Sequence, residues 1–359
     1  MLFSFPVDAL ACNWLNPNVV DALVRGMDAI DARRQPEAWP DCLPDDRREI
    51  LRRRTGLRPK LLAFWAAYAQ LAPAERAGVR EAIARQTALP AVLSDALPCP
   101  TSNNLPMGIR QCADVLADYL FGQLMKVAED GKFLRDSHYE FIHNCGIRTC
   151  PFCGLYYFRP PAMRRNALDH LMPISRYPFV AADFRNLPPA CHECNSTYKG
   201  NADILSEDSG ARRVCSDPYN GPTFEVSLVG SALGAGNEIR GRRMPRWIIS
   251  FLGGPAAQAE TWNSVYGIKY RYEATLDADF LSWLQHFALW FVREFDKEYG
   301  PADVAQELPR YIDNVLQETY EDRAFLKAEA LRLVERSCAD PVVGHDTREW
   351  LWAFVEFSV

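Results

Sequence analysis

Over residues 1–130 apolar positions recur at mixed three- and four-residue intervals, a spacing that predicts helices. The clearest are Leu61–Leu71, Ala74–Arg85 and Ile109–Ala128, the last with a stripe of Val115, Leu116, Tyr119, Leu120 and Leu124. Pro90, Pro98, Pro100 and Pro106, with Ser102-Asn103-Asn104 among them, mark a connector before that last helix. Upstream, Asp45 and Asp46 follow Pro44, and the run Glu49–Arg54 ends near Gly56. Acids first, arginines last and glycine beyond give the polarity of a helix. After the centre of the chain, TFEVSLV (223–229) and RWIISF (246–251) read as strands, separated by a Gly-rich turn and the basic residues Arg240, Arg242 and Arg243. Trp262–Tyr272 is dense in aromatics and is expected to pack against neighbouring helices, although aromatics beside Lys269 and Arg271 could also stack on bases. From Leu276 the series Leu276, Phe280, Leu284, Phe287, Phe291 marks an amphipathic helix whose apolar face Trp283 and Trp290 widen.

Composition adds limits to this outline. With 359 residues, 48% of them hydrophobic, the chain is long enough for two or three domains with their own cores. No apolar run approaches the roughly 20 residues of a membrane helix. The amino-terminal stretch lacks a basic leader and meets Pro6 and Asp8 early, so a cytoplasmic protein is expected. The net charge of −6 belongs to residues 301–359, which hold 12 acidic and 6 basic side chains. Gly146–Arg213 instead carries nine basic against six acidic residues, so the overall sign does not exclude a nucleic-acid partner. Seven of the fourteen residues Arg47–Lys60 are basic, which fits a solvated helix end or a phosphate-contacting patch.

The chemistry concentrates between Thr149 and Asn201. Of eleven cysteines, four form the pairs Cys150/Cys153 and Cys191/Cys194. Two intervening residues let both sulfurs of a pair reach one ion, and four thiolates close a tetrahedral Zn²⁺ shell of the structural kind. Cys145 and His192 are close enough in sequence to be rival ligands. The gap of 37 residues between Cys153 and Cys191 exceeds the roughly 15–20 of a simple ribbon, so something folded must fill it. Within it lie Leu168-Asp169-His170-Leu171 in a strand-like setting and Asn186-Leu187-Pro188. The last cysteine opens a helix ending near Gly200, with Cys191, Asn195 and Lys199 at four-residue spacing on one face.

CPFC, DHLMP and NLPPACHECNSTYKG in this order resemble the zinc-bearing HNH endonucleases, the ββα-metal nucleases with CxxC, DHxxP and NLxxxCxxCNxxKG. The resemblance covers about 50 residues of the chain; it has Asn195 at the third signature position, where some members have His, and three residues instead of two between Asn195 and Lys199. It implies an α+β, mostly helical protein with a zinc-stapled ββα core. The boundaries expected are a helical amino-terminal region over 1–134, an HNH domain over 135–208, a strand-containing segment over 209–272 and an acidic helical region over 273–359.

By the same resemblance His170 is the general base, Asp169 and Asn195 hold one Mg²⁺ or Mn²⁺, and Asn186 fixes the loop that orients His170. The physical logic agrees: imidazole titrates near neutrality, and one hard cation can stabilise charge on phosphate oxygens that a thiolate-saturated zinc cannot reach. Lys199, Arg176, Arg164 and Arg165 are the expected contacts to backbone phosphates. The expected activity is phosphodiester hydrolysis, with DNA favoured. The expected setting is antiphage defence under control of an ATPase or sensor subunit, with a stand-alone restriction or mobile-element nuclease as the alternative. A zinc-organised nucleic-acid-binding module, with Asp169 and His170 as a structural pair, stays open beside these.

Overall fold

The computed structural model describes every residue except 130, 237, 240, 241, 296, 297 and 359, and every side chain except those and residues 129, 239 and 242. Arg240 and the side chain of Arg242, from the expected basic cluster, therefore lie outside the described residues. The fold is mostly helical with three short antiparallel strand pairs, in keeping with an α+β class. It divides into two compact units, one holding Phe3–Phe152 and Tyr157–Pro222, the other Thr223–Val359 with Cys153–Tyr156.

The first unit contains α1 (Leu15–Asp31), α2 (Arg48–Arg52), α3 (Leu57–Ala69), α4 (Pro73–Gln86), α5 (Ala91–Ser94), α6 (Met107–Gly122) and α7 (Leu134–Asn144), with the hairpin β1 (Ala128–Glu129) and β2 (Lys132–Phe133) before α7. α1 buries Leu15, Val19, Ala22, Leu23 and Met27 at helical spacing. Gly26 on the same face admits the Trp65 ring of α3, whose Nε1 donates to the Leu23 carbonyl at 3.0 Å; a Cβ at Gly26 would stand 2.1 Å from that ring. The basic run 47–60 is partly neutralised where it lies: Arg48 pairs with Asp45, Arg52 with Glu49 at 2.7 Å, and Lys60 sits over the Tyr119 ring.

α6 is shorter than its periodicity predicts. It stops at Gly122, and a 3₁₀ turn (Leu124–Lys126) redirects the chain so that Leu124, Met125 and Val127 are buried. Its core stripe is Ile109, Ala113, Leu116, Ala117 and Leu120, whereas Val115 points outward.

One apolar cluster joins these helices to the central stretch. Phe64, Leu116 and Leu120 share it with Leu168, Phe179, Phe184 and Leu187, and the Phe64 and Phe179 rings meet edge to face at 6.2 Å. Each such burial contributes about 1.5–3 kcal/mol, more than the roughly 1 kcal/mol net of one hydrogen bond. Burial therefore supplies most of the attachment, and the polar contacts described below set its register.

In the second unit β3 (Glu225–Ser227) runs antiparallel to the last strand, with Val226 opposite Phe251, and β4 (Glu238–Ile239) pairs with β5 (Arg242–Arg243). β6 (Ser250–Leu252) completes the first of these pairs. Helices α8 (Ala256–Tyr266), α9 (Ile268–Glu294), α10 (Pro301–Gln306), α11 (Leu308–Leu316), α12 (Ala324–Ala339) and α13 (Gly344–Ser358) follow. The aromatic stretch 262–272 is helical and breaks only at Gly267, which ends α8 in the left-handed conformation. Trp262 packs on Phe224 and Phe251, and Arg271 is buried against the Tyr266 carbonyl, so these side chains serve packing. α9 buries the expected Leu276, Phe280, Leu284, Phe287 and Phe291, together with Trp283.

Candidate metal centre and catalytic cavity

Cys150, Cys153, Cys191 and Cys194 are all buried, and their sulfurs lie within 4.8 Å of one another. A tetrahedral shell with Zn–S near 2.3 Å requires sulfurs about 3.8 Å apart, and Cys150 Sγ to Cys194 Sγ is 3.9 Å. Backbone N–H groups point at the sulfurs: Cys191 N to Cys150 Sγ and Cys194 N to Cys191 Sγ at 3.4 Å, Leu155 N to Cys153 Sγ at 3.5 Å. The four donors fit a structural zinc. The two rivals stand outside the cluster, with Cys145 and His192 both exposed.

Between the cysteine pairs, residues 167–171 run antiparallel to 186–190. Ala190 N donates to Ala167 O at 3.1 Å, Asp169 N to Pro188 O at 2.9 Å and Leu171 N to Asn186 O at 3.0 Å. Pro188 has no N–H to return to Asp169, so the ladder shrinks to one bridge, Leu168 with Pro189. A π-helical segment, Glu193–Lys199, follows and closes with Gly200 N on Asn195 O at 3.0 Å. On this segment Lys199 is buried, whereas Asn195 is partly exposed.

Asn186 is fully buried in this ribbon. Its Oδ1 accepts from Met172 N at 2.8 Å, and its Nδ2 donates to Met172 O at 3.1 Å and Val180 O at 3.2 Å. One amide thus gathers both ends of the loop 172–180. Beyond that loop the Ala181 carbonyl lies 3.0 Å from His170 Nε2. A carbonyl can only accept, so Nε2 carries the proton and a neutral ring keeps its lone pair on Nδ1. The Phe121 ring of α6 packs on the imidazole at 4.4 Å between centroids. Burial lowers the His170 pKa to about 4; the Ala181 contact opposes that shift and the Lys199 charge adds to it.

Lys199 reaches under the Asp169-His170 dipeptide. Its Nζ lies 2.9 Å from Asp169 Oδ1 and 2.6 Å from the His170 carbonyl, and both side chains of the ion pair are almost wholly buried. Asp169, His170, Asn195 and Lys199 line one cavity of about 390 Å³ with Phe121 and Ser175. Asp169 and Asn195 offer hard oxygen donors there, a set that fits a small divalent cation retaining several waters.

None of Arg164, Arg165 and Arg176 lines that cavity. Arg176 pairs with Asp203 at 2.9 Å, and Asp203 also accepts from Tyr177. Arg165 is half-buried with its Nε 2.9 Å from Asp136 Oδ1, while Arg164 is exposed; both line a second, larger cavity.

Several positioning groups escaped the motif reading because they lie far away in sequence. Asn16 of α1 donates to Phe179 O at 2.9 Å and accepts from Ala182 N at 3.2 Å. Asn13 accepts from Phe184 N at 2.9 Å and donates to Asp183 at 2.8 Å. Gln86 of α4 accepts from Phe179 N at 3.1 Å, and Ser102 donates to Ser175 O at 2.7 Å. The Ser102 clamp falls in the polar connector between prolines; a lone Asn or Gln inside a helix gives no comparable signal.

No family model, no curated protein and no solved structure matches this chain. Among the described residues no helix is long and apolar enough to cross a membrane.

Proposed function

We propose that this protein is a metal-dependent endonuclease of the HNH type that hydrolyses phosphodiester bonds of DNA. The observation that carries the reading is the convergence of Asp169, His170, Asn195 and Lys199 on one cavity, beside a four-cysteine cluster fit for zinc. In this reading His170 takes a proton from water at Nδ1, the nitrogen left unprotonated by the contact to Ala181. Asn186 holds the loop that presents that carbonyl. Asp169 and Asn195 would hold Mg²⁺ or Mn²⁺, which when bound supplies positive charge against the phosphate oxygens. Zinc on the cysteines has no open position and acts on the frame alone.

A second reading has its own support. Asp169 is buried and already balanced by Lys199, as a structural pair would be. On that reading the zinc centre organises a nucleic-acid-binding module without catalysis. Supercoiled plasmid incubated with the purified protein and Mg²⁺ or Mn²⁺, in parallel with His170→Ala, separates the two. Nicking by the wild type that the variant lacks is the expected result; equal nicking by both sinks the assignment of His170.

The biological setting we propose is a defence effector governed by an ATPase or sensor subunit, since the sequence flanks carry no motif of a base reader. A chain that purifies alone, monomeric and fully active would favour a stand-alone restriction or mobile-element nuclease instead.

A further inference from the structure

The larger cavity, about 590 Å³, opens on the other end of the ribbon from the catalytic cavity and is walled by four guanidinium groups: Arg135, Arg159, Arg164 and Arg165. Two carboxylates share it, and both are engaged. Asp136 accepts from Arg165 at 2.9 Å, and Glu140 from Lys132 at 2.6 Å. Arg135 Nε is buried and 3.8 Å from the same Asp136, too far for a hydrogen bond. Burial lowers the Arg135 pKa, and the charge of Arg165 adds to that shift against the opposing Asp136. Arg159 and Arg164 are exposed and form no ion pair among the described residues. The cleft thus holds more positive charge than its own acids neutralise.

It is also built in advance. Tyr139 Oη donates to Arg159 O at 2.7 Å and lies 3.1 Å from Asn166 Oδ1, and that Oδ1 takes the Arg159 N–H at 2.8 Å. The loop bearing Arg159, Arg164 and Arg165 is thereby fixed at both ends. The two cavities meet along one extended segment, for Ala167 lines the cleft while Leu168, Asp169 and His170 line the catalytic cavity. Three extended residues span about 10 Å, so one bound strand can reach both cavities.

We propose that this cleft is a phosphate-binding subsite that seats the DNA backbone beside the scissile phosphate, an assignment that rests on the nuclease reading above. Guanidiniums in a rigid fork suit paired phosphate oxygens, and contacts of this kind set position without reading sequence.

The test uses the full chain carrying His170→Ala, binding a short labelled duplex at several salt concentrations. Adding Arg159→Gln and Arg164→Gln, both at exposed positions, should weaken binding on the order of 10-fold and flatten the slope of log K against log salt by roughly 2. Arg159→Lys with Arg164→Lys should restore most of both. Zinc content and circular dichroism verify that each variant is folded, and Arg135→Gln serves as a second probe. Unchanged affinity and slope in the folded Gln variants overturn the subsite. So does calorimetric binding of inorganic phosphate that the Gln pair abolishes while duplex affinity stays put, since the cleft would then take a small anion. Failure of the nuclease reading looks different: no metal-dependent nicking by the wild type, with arginine-dependent duplex binding intact. Normal nicking by the Gln pair at unchanged KM sinks the subsite and spares the nuclease.

Discussion

Lys199 Nζ stands 2.9 Å from Asp169 Oδ1 inside the protein, so a full positive charge is locked beneath the dipeptide that carries the candidate base. Removing one member of such a pair strands the other. Lys199→Met should cost about 3–5 kcal/mol in urea unfolding. Asp169→Asn on that background should restore part of the loss, giving a coupling of about 1 kcal/mol or more in a double-mutant cycle. A Lys199→Met loss under about 1 kcal/mol would show that other groups compensate the carboxylate.

The four-cysteine cluster predicts one zinc per chain by elemental analysis. Replacement by Co²⁺ should give intense thiolate-to-cobalt absorption, and Cys194→Ser should lower metal content and the unfolding midpoint together. Retention of full zinc content in Cys194→Ser would remove that cysteine from the ligand set.

His138 supplies a pH dependence remote from any metal ligand. It is fully buried between the Ala9 carbonyl at 2.9 Å and Tyr219 Oη at 3.0 Å, and stacks on Phe184. Burial lowers its pKa from 6.5 to about 4; the Ala9 contact opposes the shift and Arg165 reinforces it. Between these values the unfolded chain binds the extra proton, so stability is full above pH 6.5 and falls as pH drops towards 4. The total loss is about 3 kcal/mol. Asp183 and Asp217, whose carboxyls burial pushes up, act in the opposite sense. The difference between wild type and His138→Gln over that window isolates the histidine, and parallel curves would refute the assignment.

Asn16→Ala orphans two buried backbone groups, Phe179 O and Ala182 N. It should cost about 2–4 kcal/mol and speed hydrogen exchange at Ala182 and Phe184. Asn16→Asp keeps the acceptor and should spare the Ala182 amide more than the Phe179 carbonyl contact. Unchanged exchange in the Ala variant would mean that Asn13 and Gln86 suffice to hold the loop.

The cysteine pairs were legible because a four-thiolate site needs one residue type at one spacing, and the structure also gathers Asp169, His170 and Asn195 around one cavity. The α9 stripe was legible for a similar reason, a single period sustained over many turns. The pairing of Lys199 was not: a four-residue spacing puts it on the face of Asn195 but cannot show the buried Asp169 that holds its ammonium. Nor was the anchoring of loop 179–184, which depends on Asn13, Asn16 and Gln86 about a hundred residues or more upstream. Periodicity marks which face of α1 is buried but not what the Asn16 amide touches. Ile109–Ala128 overran because apolar spacing cannot show that Leu124 to Val127 are buried by a turn instead of by continuing α6.

The anchors of that loop are carboxamides, hydroxyls and backbone groups, and apart from Asp183 none carries charge. Dissolved ions therefore have little grip on them, and the buried Lys199–Asp169 pair is shielded from screening by its depth. Electrolyte would act mainly on attraction between arginines and phosphate. On the nuclease reading, raising salt should lift KM and leave turnover at saturating DNA nearly level, so that ionic strength separates holding the substrate from cutting it.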